Sequence, residues 1–202
     1  MQGRLSDQVD GKIQAFPWKH WKDEFVIAEQ IGLRLMEWTI DQHRLYENPL
    51  MTFDGQKLIN ILSRKHGISV LTLTGDCFMQ SPFWKSFGEV EKKLKEDFLE
   101  VCKACSKLSI KLIVVPLVDN GSLENSEQEE KLVKFLLFYQ SLFADLNLKI
   151  LFEFDYNPRG VKKFIDRLPK NIFGVNYDIG NSAANGFDPV EELKIYGMRT
   201  QG

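Results

Sequence analysis

The run Leu148-Lys149-Ile150-Leu151-Phe152-Glu153-Phe154 stands between two segments of helical spacing. Upstream, Leu132, Phe135, Leu136, Tyr139 and Phe143 recur at helical steps within Ser126–Leu146, the stripe of a helix packed on a sheet. Downstream, Arg159–Leu168 is helical again, and Ile172–Asp178 returns to a short, mostly apolar run. A short apolar run with a helix on either side reads as a strand buried on both faces. That is the property of a parallel sheet whose crossovers are helices.

The alternation continues in both directions. Strands are expected at Leu33–Thr39, Ser69–Thr74, Ile110–Leu117, Leu148–Phe154 and Ile172–Asp178. Helices are expected near His20–Ile31, Phe53–His66, Phe87–Leu108, Ser126–Leu146, Arg159–Leu168 and Pro189–Tyr196. Ser126 and Glu129 have capping-box spacing, and Asp188-Pro189 places an N-cap before a proline in the first turn. Met1–Leu5 reads as the exit of one more strand. Right-handed crossovers make consecutive parallel strands neighbours, so the fold class is α/β, a TIM (β/α)8-type barrel. The barrel is incomplete, with about six βα units and about two missing, against the roughly 250 residues of a full one. A doubly wound open sheet shares the grammar, but its glycine-rich phosphate fingerprint does not occur in the sequence. Residues 1–202 read as one domain, with no linker or low-complexity segment between them.

With 26 Lys and Arg against 28 Asp and Glu, the net charge of −2 supplies no basic field for nucleic acid. The sequence holds no apolar run of membrane-spanning length and no signal-peptide pattern, so a soluble, cytoplasmic protein is expected. Cys102 and Cys105 have CxxC spacing but fall deep in a helical pattern, unlike a redox motif at a helix start, and are read as packing.

Parallel α/β folds build their sites at the C-terminal ends of strands. Glu37, Asp76, Glu153 and Asp178 fall at or just after such ends. Strand alternation turns Leu151 and Glu153 to the interior, and Asn176 and Asp178 likewise. Two inward carboxylates on adjacent strands repel unless one is protonated, paired with a cation or bound to a metal. Hard carboxylate oxygens favour Mg²⁺ or Mn²⁺, whereas a histidine beside them would suit Mn²⁺, Co²⁺ or Zn²⁺.

The segments Met1-Gln2-Gly3-Arg4-Leu5-Ser6, Gly75-Asp76-Cys77-Phe78-Met79 and Asn176-Tyr177-Asp178-Ile179-Gly180-Asn181-Ser182 occur in this order. Together they resemble the sugar-phosphate isomerase and epimerase family of xylose-isomerase-like barrels. The resemblance implies a divalent metal held by a Glu after the fifth barrel strand, an Asp after the sixth, a His after the seventh and a Glu after the eighth. Glu153 and Asp178 match the first two, and the other two have no counterpart in this sequence. It further implies that Glu153 is an acid or base in proton transfer through an enediolate, and that Glu37, Asp76 and Asn181 bind substrate. Asn181 stands where some relatives carry a histidine. Trp38, next to Glu37, is read as packing.

After Tyr196 and Gly197 the likeness stops, which points to truncation and an impaired enzyme. Three other expectations are open. One is a non-catalytic assembly module, a homo-oligomer covering open strand edges. The others, from the same family, are an inosose dehydratase-like lyase and an endonuclease-IV-like hydrolase. The charge balance and the scattered His20, His43 and His66 weigh against the last.

Overall fold

A computed structural model describes residues 2–9, 11 and 15–201. Five strands, β1 (Leu35–Thr39), β2 (Ser69–Thr74), β3 (Leu112–Leu117), β4 (Lys149–Phe154) and β5 (Phe173–Val175), form one sheet in sequential order. All four pairings are parallel. The helices are α1 (Asp23–Gln30), α2 (Phe53–His66), α3 (Asp76–Gln80), α4 (Gly88–Lys107), α5 (Ser126–Phe138), α6 (Gln140–Asp145), α7 (Pro158–Ile165), α8 (Ile179–Ala184) and α9 (Pro189–Tyr196). No helix among the described residues is long and apolar enough to cross a membrane.

The core lies between the outer face of the sheet and the helices. Trp38, Ile113, Ile150, Phe152 and Phe173 are wholly or almost wholly buried there. Phe152 meets Phe164 of α7 edge to face at 5.3 Å between ring centroids. Trp38 donates its indole N–H to Asn48 Oδ1 at 3.1 Å, which satisfies the one polar atom of a fully buried ring. Its packing role is thereby borne out.

Beyond each outer strand lies the start of another rung. Gln2 N–H donates to the Glu37 carbonyl at 2.9 Å, so the expected strand exit does run beside β1, although Met1 is outside the described residues. On the far side Val175 bridges in parallel to Thr200, and Gln201 N–H donates to the Val175 carbonyl at 3.0 Å. A Cβ on Gly174 would stand 2.8 Å from the Arg199 carbonyl oxygen, so only glycine permits this approach. The likeness to a barrel therefore does not stop at Gly197, as the sequence suggested. It continues into the next strand.

Other boundaries also differ. The cap of α5 is Asn125, whose Oδ1 accepts from Gln128 N–H at 3.0 Å, so Ser126 is the first helical residue and not the capping one. The expected helix Ser126–Leu146 divides at Tyr139, where the backbone leaves the α region. The last strand is shorter than Ile172–Asp178, because Asp178 is taken up as the cap of α8. Asp188 caps α9 as expected, accepting from Val190 N–H at 2.7 Å.

Candidate active site at the strand ends

Register carries the carboxylates to one place. Val114 pairs with Leu151 and Pro116 with Glu153, while Glu37 and Thr39 pair with Thr72 and Thr74. Residues alternate between faces, so Glu37, Thr74, Leu151 and Glu153 face the concave side while Ile150 and Phe152 face the helices. At the carboxyl ends of the strands opens a cleft of about 330 Å³ lined in part by Arg4, Thr74, Asp76, Asp119, Glu153, Asp178 and Asn181. That volume lies at the small end of the range for ligand pockets.

Glu153 is held from two directions. Asn181 Nδ2 donates to its Oε1 at 2.8 Å and Asn176 Nδ2 to its Oε2 at 3.3 Å. Burial, followed by the charge of Asp178, pushes the Glu153 carboxyl above the usual glutamate range, against the two amide hydrogen bonds. The charge of Glu37 adds to the rise. Asp178 Oδ1 accepts the Asn181 backbone N–H at 2.8 Å, so Asn181 ties the two carboxylates together through its backbone and its side chain. Asp155, just beyond β4, is also raised by burial. The rim is thus rich in acids, and burial biases Glu153 and Asp155 toward holding a proton.

The family model for the xylose isomerase-like TIM barrel matches residues 25–201. The chain belongs to this family. Among solved structures, it resembles D-psicose 3-epimerase from Clostridium cellulolyticum H10, crystallised with D-tagatose, at 13% identity and a TM-score of 0.73, over 89% of this chain and 65% of that one. A sugar phosphate isomerase/epimerase from Parabacteroides distasonis is 12% identical with a TM-score of 0.67, over 91% and 69%. A xylose isomerase-like TIM barrel protein from Mycobacterium smegmatis, in complex with magnesium, is 11% identical with a TM-score of 0.70, over 95% and 67%. The chain thus spans about two thirds of the length of these structures, and at such identities they speak for the fold. No curated protein sequence matches it.

Within this xylose isomerase-like barrel the expected site residues come together unevenly. Glu153, Asp178, Asp76 and Asn181 all line the cleft. Asp76 is almost wholly buried and is the first residue of α3, with Gly75 at the cap position. Glu37 does not line the cleft, and only its charge reaches Glu153. Among the described residues no group of three or more His, Cys, Asp or Glu is arranged to hold a metal. Of the histidines, His20, just before α1, pairs with Asp23, and His66 of α2 pairs with Glu29 of α1; neither lines the cleft.

The cleft also contains residues to which no role was assigned from sequence. Asn176 orients Glu153, and Asp119, at φ 47°, supplies another acid to the lining. Arg4 is the cation there. A larger groove of about 580 Å³ lies elsewhere, around Tyr46 and Asp97. Its buried carboxylate is already satisfied, since Asp97 accepts from Lys93, Tyr46 and Gln42. It offers no unmatched chemistry.

Proposed function

We propose that this xylose isomerase-like barrel is a metal-dependent isomerase or epimerase acting on a sugar or sugar phosphate. The observation that supports it most is Glu153, a half-buried carboxylate raised by burial and by the charge of Asp178 and oriented by two amides. A carboxyl poised nearer neutrality is suited to take a proton from a carbon beside a carbonyl and return it. Asn181 and Asn176 keep its oxygens aimed while it does so.

Glu153 and Asp178 offer hard oxygen donors that fit Mg²⁺ or Mn²⁺, with water completing the shell. Among the described residues the cleft lining holds no histidine, which fits Zn²⁺ and Co²⁺ less well. A bound divalent ion would supply positive charge at the substrate oxygens. Two carboxylates by themselves would hold such an ion weakly. Calorimetric titration with MnCl₂ of the wild type and of Glu153→Ala tests it, and equal heats from the two proteins would remove Glu153 from any metal site.

A second reading is favoured by the concave face. Leu35, which shares that face with Glu37, is 66% exposed, and Leu71 at the register shift beside it is 42% exposed. A second copy of the chain would cover these residues and the outer strands. The mass in solution decides, with a monomer at all concentrations ruling the second copy out.

A further inference from the structure

We infer that Arg4 is the specificity-determining residue of this cleft, and that it selects a sugar carrying a terminal oxyanion over a neutral one. The inference rests on the proposed sugar site. It does not depend on which sugar is turned over.

Arg4 lines the same cleft as Glu153 and Asp178, and is the one Lys or Arg in that lining. A guanidinium set among four acids, Asp76, Asp119, Glu153 and Asp178, would ordinarily pair with one of them. Among the described residues it forms no ion pair and no hydrogen bond, and its side chain is exposed. Charge neutralisation within the protein is therefore not its role.

The backbone that carries Arg4 is, by contrast, tightly held. Glu24 of α1 is fully buried, and its carboxylate accepts from Gly3 N–H at 2.9 Å, Leu5 N–H at 3.2 Å and Ser6 Oγ at 2.8 Å. These contacts fall immediately on either side of Arg4. Gln2 is fastened to β1 through its N–H, and its carbonyl accepts from Thr39 Oγ1 at 3.3 Å. Gly3 has φ +83° and lies so close to the Ala15 carbonyl oxygen that a Cβ would stand 2.4 Å from it. The backbone is thus fixed at the cleft, and the guanidinium it carries is a planar fork. Its five N–H donors match the paired oxygens of a phosphate or a carboxylate, whereas a neutral hydroxyl can use only one or two of them.

Calorimetry with MnCl₂ present, on wild type, Arg4→Ala and Arg4→Lys, tests this with three probes: D-fructose, D-fructose 6-phosphate and D-glucuronate. Wild type should bind at least one charged probe about tenfold or more tighter than fructose, the scale of a charge-assisted hydrogen bond. Preference for the phosphate ester or for the uronate tells which oxyanion is taken. Arg4→Ala should remove the advantage of the charged probe over fructose, weakening the charged probe about tenfold more than it changes fructose. Arg4→Lys should restore part of the difference. A charged-probe advantage that survives in Arg4→Ala, or that wild type never shows, overturns the role of Arg4 while leaving the site intact. Loss of Mn²⁺ and all sugar binding in the wild type itself overturns the site reading and this inference with it.

Discussion

Replacing Glu24 by alanine should destabilise the protein by about 2–3 kcal/mol, and the number can be built from its contacts. The carboxylate is fully buried and answers the Gly3 and Leu5 amides and the Ser6 hydroxyl. A buried donor left without an acceptor costs roughly 1–3 kcal/mol. Gly3, Leu5 and Ser6 are only half-buried, so water reaches them once the carboxylate is gone, and the low end applies to each. Release of a buried charge returns part of the total. For a chain of this size the loss corresponds to a fall in melting temperature of roughly 4–12 °C. Glu24→Gln keeps one acceptor but points its NH₂ at donors, and should lie between wild type and Glu24→Ala. Urea unfolding followed by tryptophan fluorescence gives the stabilities, and amide exchange at Gly3 and Leu5 gives the local effect. If both variants fall within about 0.5 kcal/mol of wild type, as ordinary surface substitutions do, Glu24 is not what holds this segment.

Glu153→Gln should raise stability at neutral pH. A carboxyl raised in the fold binds protons more readily there than in the unfolded chain, so its contribution is fully present below the usual 4.5 and is lost as pH rises through the folded value. Melting temperatures from pH 4 to 8 should therefore converge at the acid end and separate above it. The same variant should lose any rise in melting temperature that MnCl₂ gives the wild type. Glu192→Ala should cost about 2–4 kcal/mol in urea unfolding, since the buried carboxylate accepts from the Ser182, Tyr177 and Tyr196 hydroxyls and two of those residues are themselves buried. Cys77, Cys102 and Cys105 are buried and burial pushes all three thiols up, so Ellman's reagent at pH 8 should find none of them until urea is added.

Elements whose ends are set by their own neighbours were legible in the sequence. Helix α2 runs from Phe53 to His66 as expected because Thr52 Oγ1 accepts from Gly55 N–H at 3.1 Å and Gly67, at φ +65°, closes the other end. The inward turn of Glu153 followed from alternation alone. Contacts between distant residues were not legible. The strand at Ile172 looked longer than it is because its apolar pattern runs on, while Asp178 is claimed by Asn181 and Asn176 by Glu153. The part played by Arg4 depends on Glu24 and Glu37, which pattern reading cannot bring to its side. Glu37 itself fell outside the cleft because β1 pairs it with Thr72, below the level at which Pro116 meets Glu153.

These long-range contacts also explain why the rim holds its shape. Its two chemically distinct halves are fixed from opposite flanks of the sheet. On one flank, Glu24 and the Gln2 contacts to β1 set the Arg4 segment. On the other, the Val175–Thr200 bridge and the bond from Lys149 Nζ to Gln201 Oε1 at 2.7 Å hold β5 against β4. Asn176 follows β5 directly, so its grip on Glu153 is set by that pairing. Loosening residues 199–201, for example by Gly174→Val, should therefore disturb Glu153 and spare the Arg4 segment, because no contact of Glu24 passes through β5. Amide exchange separates the two: protection should fall at Val175 and Asn176 and persist at Gly3 and Leu5. Loss at both places together would mean that the sheet responds as one unit and that the two flanks do not act separately.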